Sequence, residues 1–176
     1  IPLESEIDQL IAGCGKKLAT FLQVMKETGA RCGEVWRLKW TDIDFQKGVI
    51  TITPEKGSKP RQFKVSRKLL DMLNAMPRKG LKIWTAKLKT IRRTFQGCRA
   101  RIARNTKNPR LLQITFHTFR HWKATMEYQR TKDILYDKEL LGHKSIQSTL
   151  IYTHLVKFES DEYHSADSNF TRCVYI

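Results

Sequence analysis

The chain has 176 residues, 40% of them hydrophobic, and 33 Lys and Arg against 17 Asp and Glu give it a formal charge of +16. That length suits one domain with a sizeable core, and the basic residues recur along most of it, so the excess is no detachable tail and points to a polyanionic partner. Neither a run of about 18 apolar residues nor an N-terminal signal pattern is found, which argues against membrane insertion and export and makes the interior of a cell the expected location.

In chain order, Glu4 and Glu6 precede Ile7, Leu10 and Ile11, predicting a short amphipathic helix with acids in its first turn. From Lys16 to Glu27, Leu18, Phe21, Leu22 and Met25 recur at helical spacing until Thr28-Gly29 stops the run. "ARCGEVWRLKW" predicts another short helix, and the Asp and Gly residues of "TDIDFQKG" read as a turn. The β-branched "VITIT" and the alternating "RQFKV", joined by "PEKGSKP", predict a hairpin with a lysine-rich tip.

Ser66 then caps an amphipathic helix, "SRKLLDMLNAM", which Pro77 to Gly80 breaks. A long basic helix spans residues 87–104 and "NTKNPR" is a loop. "HTFRHWKATMEYQ", "KDILYDKELL" and a stretch around residues 145–153 complete the helices. The expected fold class is mainly α with a small antiparallel β-sheet, in a single domain over 1–176. The chain opens at Ile1 directly into "PLESEIDQL", which reads as a fragment of something larger.

Cysteines at 14, 32, 98 and 173 are too scattered for a zinc knuckle and too few for a disulfide framework, so reduced thiols are expected. Chemistry gathers elsewhere. Arg31 follows a Thr-Gly-Ala turn at a helix start, where backbone amides also favour anions. His117 and Arg120, three apart, share a helical face. His143 follows Leu141-Gly142, and Tyr152, nine residues on, lies on an apolar run, where a tyrosine is ordinarily a core residue whose hydroxyl has one partner. His117 and His121 also have zinc-ligand spacing, but no Glu fills the intervening motif position and no third ligand is evident, so no metal is expected.

Together "TGARCGE", the "EKGSK" hairpin, "HTFRH", "LLGHKS" and "IYTH", in that order over residues 28–154, resemble the catalytic domain of the tyrosine recombinases, the phage-integrase family that shares its chemistry with type IB topoisomerases. The wording around "ITFHTFRHWKATMEY" is similar to archaeal integrases. The resemblance implies site-specific DNA integration or recombination by strand cleavage and rejoining through a 3′-phosphotyrosyl intermediate. It makes Tyr152 the nucleophile, Arg31 and Arg120 the phosphate clamp, and His117 and His143 acid–base or hydrogen-bonding groups. Lys56, with Lys59 as a competitor on the same turn, becomes the general acid, and Glu34 a buttress for Arg31. It implies no cofactor, and a nucleoid-associated protein of the cytoplasm.

Duplex DNA is the implied partner, contacted by Lys59, Arg61, Lys87, Lys89, Arg92, Arg93 and Arg99, with self-association into a tetramer on DNA. An N-terminal DNA-binding domain is expected to be missing, and residues 155–176 are a tail that packs in trans through Phe158, Tyr163, Phe170 or Tyr175. A recombinase-like protein that grips DNA without cutting it is the alternative.

Overall fold

The computed structural model describes residues 1–54, 60–143 and 145–153. Helix α1 (Glu4–Gly13) presents Ile7, Leu10 and Ile11 to helices α2 (Lys16–Thr28) and α5 (Leu88–Asn105). The apolar stripe of α2 is buried, and Phe21, Leu22, Val24 and Met25 have almost no exposed surface. Gly29 ends the helix in the left-handed region at φ 62°, a conformation glycine adopts without steric penalty. The short helix α3 (Cys32–Trp36) follows at once.

Strands β1 (Ile43–Asp44), β2 (Val49–Ile52) and β3 (Arg61–Lys64) form an antiparallel sheet in that order. The expected hairpin is β2 and β3, with Ile50 opposite Phe63 and Ile52 opposite Arg61. Strand β1 lies where a turn was expected. Two residues are too few to show a period of two, and the strand exists through pairing of Ile43 with Ile50 and Asp44 with Val49. Ile50, Ile52 and Phe63 bury one face of the sheet.

Helix α4 (Arg67–Asn74) begins at Ser66, whose Oγ accepts from the Leu69 amide at 3.1 Å. Glu27, near the end of α2, accepts from both the amide and the hydroxyl of Ser66, at 2.7 and 2.6 Å, and so ties α4 to α2. Within the predicted loop "NTKNPR", Pro109 opens a 3₁₀ turn, Pro109–Gln113, and the Asn108 side chain accepts from the Arg110 amide.

Helix α6 (Phe116–Thr131) is fixed at its start by aromatic packing. Phe116 stacks on Phe95 of α5 with centroids 4.7 Å apart and meets Phe21 of α2 at 5.6 Å, while Phe119 meets Phe95 edge-on at 6.3 Å. Reciprocal bonds between Thr115 and Thr118 cap the same turn. Trp84 and Trp122 are buried, and Trp36 and Trp40 are partly exposed. Cys14, Cys32 and Cys98 are free thiols, and burial, reinforced by the neighbouring Cys98, pushes Cys14 up to about 12.

The chain read as one domain from its sequence divides into two units, residues 1–123 and the chain from Ala124 onward. In the second, helix α7 (Ile134–Leu141) starts at Asp133, whose Oδ1 accepts from the Leu135 and Tyr136 amides, and ends at Gly142 with φ 63°. Residues 147–153 are helical. Ala124, Leu141 and Tyr152 form its buried apolar cluster.

Asp137 is fully buried one helical turn before Leu141, and neither of its carboxylate oxygens has a hydrogen-bond partner among the described residues. Burial, then the charges of Glu127 and Asp133, raise its pKa from 3.8 to about 6, with Arg130 opposing. An acid whose folded pKa is raised contributes stability that is fully present below pH 3.8 and lost as the pH rises through about 6. Asp137→Asn is therefore expected to stabilise the protein by roughly 2 kcal/mol at pH 8 and to flatten the pH dependence between those values. Urea unfolding at pH 5 and pH 8 checks this, and equal stability of the two proteins at pH 8 contradicts it.

Candidate active site

The turn between α2 and α3 is locked by its own side chains. The Thr28 hydroxyl donates to the Val24 carbonyl at 2.7 Å and accepts from the Ala30 amide at 3.2 Å. Arg31 stands immediately before α3, in extended backbone. Its amide donates to Glu34 Oε2 at 2.8 Å, so the carboxylate reaches back to the helix start, and its Nη1 approaches Glu34 Oε1 at 3.4 Å. The Glu34 side chain has no exposed surface, whereas that of Arg31 is 39% exposed.

A second arginine shares that carboxylate. Arg61 Nη2 donates to Glu34 Oε2 at 2.9 Å, and its side chain is only 9% exposed. Arg61, expected on DNA, points instead to the interior of its own unit. The alternation Arg61-Gln-Phe63-Lys-Val65 puts arginine on the inward parity of the strand, a signal that lies in the sequence.

On α6, His117 is exposed and Arg120 is buried. Phe116 and Phe119, which flank them, set the rotation of the first turns. Arg120 Nη1 donates to the Gly29 carbonyl at 2.9 Å, which fixes its guanidinium against the end of α2. Arg31, Arg92, and the pair His117 and Arg120, from three separate stretches of sequence, line one cavity of about 200 Å³ together with Gly33 and Phe116. Among the described residues no carboxylate lines this cavity, and three guanidinium groups make it a place for an anion. His121, on the next turn of α6, lies 6.1 Å from His117 between ring centroids. Partial burial, and then the charges of His117 and Arg120, hold its imidazole below the usual range.

Arg92, expected among the DNA contacts, is a cavity residue that also donates to Cys32 Sγ at 3.4 Å. Its placement follows from the packing of α5 and has no signature in the sequence. Lys87, Lys89 and Arg93 are exposed at the start of α5. Arg99 Nη1 donates to the Ile114 carbonyl at 2.6 Å. Lys56 and Lys59 lie outside the described residues, as does the tail 155–176.

His143 and Tyr152 belong to the second unit. His143 Nδ1 is 2.9 Å from the hydroxyl of buried Thr149, one turn ahead of Tyr152, and this contact orients the imidazole. Thr149 was not singled out in the sequence, although its place six residues after the histidine put it within reach. Tyr152 is 1% exposed and packs with Leu141 and Ala124.

The model of the Phage integrase family matches residues 3–159. The chain is 31% identical over 133 residues to the tyrosine recombinase XerA of Pyrococcus furiosus, covering 73% of this chain and 46% of that protein. A crystal structure of XerA recombinase superimposes with a TM-score of 0.74 at 25% identity, covering 99% of this chain and 65% of that one. The catalytic domain of bacteriophage HP1 integrase gives 0.67 at 27% identity, covering 88% and 86%. The similarity to archaeal proteins read from "ITFHTFRHWKATMEY" agrees with these relatives, among them a second XerA, from Saccharolobus solfataricus. The chain spans about half the length of the curated relatives it matches. With its mainly helical fold, its three-stranded antiparallel sheet and its three arginines around one cavity, the chain belongs to the phage integrase family of tyrosine recombinases.

Proposed function

We propose that this chain carries the catalytic machinery of a site-specific DNA recombinase, which cleaves and rejoins duplex DNA one strand at a time. The observation that carries this reading is the cavity on which Arg31, Arg120 and His117 converge. Two guanidinium groups suit the two non-bridging oxygens of a scissile phosphate. Both stay charged throughout the reaction and can stabilise the added charge of a five-coordinate phosphorus.

The Tyr152 oxygen attacks phosphorus, the bond from phosphorus to the 5′-oxygen breaks, and the products are a 3′-phosphotyrosyl ester and a 5′-hydroxyl. The phenol proton must be removed and the 5′-oxygen must gain one. A phenol of pKa about 10 is only about 0.1% ionised at pH 7, so its attack requires a base or a strongly cationic setting. His117, exposed at the cavity, is the candidate base, and Lys56, with Lys59 as its rival, is the candidate acid for the leaving oxygen. One ester replaces another, so the step balances without a nucleotide or a redox cofactor. His143, oriented by Thr149, supplies a hydrogen bond to the phosphate. Because Tyr152 is buried among apolar side chains, DNA binding has to bring its ring out to the phosphate.

Lys87, Lys89 and Arg93 support contacts to flanking phosphates, in keeping with the charge of +16. Among the described residues no helix is long and apolar enough to cross a membrane. Action in the cytoplasm at the nucleoid, and a tetramer assembled on DNA, complete the proposal.

A duplex nicked so that the released fragment diffuses away tests it. The expected product is a protein–DNA adduct that survives denaturant, formed by the wild type and absent in Tyr152→Phe. Arg120→Ala is expected to slow its formation about a hundredfold, and DNA binding without any adduct would leave only a DNA-gripping protein. Thr149→Val is expected to cost about fivefold in single-turnover cleavage, the worth of one hydrogen bond of about 1 kcal/mol, with DNA affinity unchanged. If about six phosphates are neutralised, a titration in salt gives a slope near −5 in log affinity against log salt. A slope near zero contradicts the phosphate contacts.

A further inference from the structure

We propose that Arg61 is a positioning residue for Arg31, acting through Glu34; the proposal rests on the reading of Arg31 as a phosphate clamp. Arg61 pairs with Ile52 across the sheet, on the face buried by Ile50, Ile52 and Phe63, so the strand itself turns its guanidinium inward. There it meets the fully buried Glu34 carboxylate. A carboxylate withdrawn from water requires a cation held at short range. Two arginines are available, and they are held differently: Arg61 Nη2 makes the 2.9 Å contact and is nine-tenths buried, whereas the Arg31 guanidinium makes only a 3.4 Å contact and is 39% exposed.

Because Arg61 neutralises the carboxylate from the strand side, Arg31 is tethered loosely and presents its guanidinium to the cavity it shares with Arg120. Without Arg61, Glu34 Oε2 keeps only the Arg31 amide as its donor, and the carboxylate draws the Arg31 guanidinium inward, away from the phosphate. Arg61 thus supports catalysis without touching DNA. Its loss acts on the rate of cleavage, whereas loss of a phosphate contact acts on affinity.

The test uses the full chain in single-turnover cleavage of two suicide duplexes, one with an ordinary scissile phosphodiester and one with a neutral methylphosphonate in its place. The neutral group has less charge to stabilise, so a defect in the arginine clamp shrinks on it, while a general folding defect is the same on both. Arg61→Gln is expected to slow cleavage of the phosphodiester about tenfold or more at saturating protein, with DNA affinity within about twofold of wild type. On the methylphosphonate its defect shrinks in parallel with that of Arg31→Ala. The double variant Arg31→Ala/Arg61→Gln is expected to be no slower than Arg31→Ala alone, because both remove the same clamp.

Arg61→Gln that weakens DNA binding and leaves the rate untouched, or a double variant whose losses multiply, overturns the proposal. Should Arg61→Gln fail to fold, Arg61→Met, which fills much of the same space and removes the cation beside Glu34, makes the same test. A changed ratio of phosphodiester to methylphosphonate rates supports the proposal, and an unchanged ratio overturns it. A wild-type chain that leaves no adduct on either duplex overturns the phosphate-clamp reading and this proposal with it. An adduct that forms regardless of Arg61 overturns this proposal alone.

Discussion

A carboxylate with no surface exposed to water must be neutralised where it stands, and the Glu34 side chain stands at the junction of α3 and the sheet. Its oxygens accept from the Arg31 amide, the Arg31 guanidinium and the Arg61 guanidinium. One buried charge therefore connects a helix start, a strand and the rim of the anion cavity. The Gly29 carbonyl plays the matching part for Arg120, because only a chain that turns left-handed there leaves that oxygen aimed at α6. The two arginines of the proposed clamp are thus held by different means, Arg120 by a backbone carbonyl and Arg31 by a shared carboxylate.

The second unit treats its charged and reactive groups differently. Tyr152 is packed as a core residue would be, and the nearby His143 is oriented by the hydroxyl of a buried threonine. Asp137 is buried on α7 with no hydrogen-bond partner for its carboxylate oxygens among the described residues, which disfavours the folded form of this unit once the group ionises. Tyr152, the proposed nucleophile, held in an apolar cluster in the same unit, suits an element that rearranges when its substrate arrives. Rigid holding of the proposed phosphate clamp in the first unit suits groups that must be in place beforehand.

Much of the secondary structure was legible in the sequence. The helices announced themselves by apolar residues three and four apart, by Ser66 as a cap, and by Thr28-Gly29 as a stop. Strand β1 was not, because a two-residue strand carries no pattern and depends on the edge of β2. The candidate residues Arg31, His117, Arg120, His143 and Tyr152 were legible through their spacing relative to turns. Glu34 was legible as a partner of Arg31, but its second arginine was taken for a surface contact, although Phe63 and Val65 share its parity.

The sequence by itself determined the helix periods, the hairpin, the excess of positive charge and the kinds of groups available for phosphate chemistry, because each depends on residues near one another in the chain or on simple counting. Only the tertiary structure decided that Arg31, Arg92, His117 and Arg120 surround one cavity, and that Arg61 serves Glu34. The reason is that side chains far apart in sequence, as Glu34 and Arg61 at 27 positions and Arg120 and Gly29 at 91, meet through the packing of Phe21, Phe95, Phe116 and Phe119 and through the register of β2 on β3. Those contacts depend on how whole elements fit together, and no local stretch of sequence encodes them.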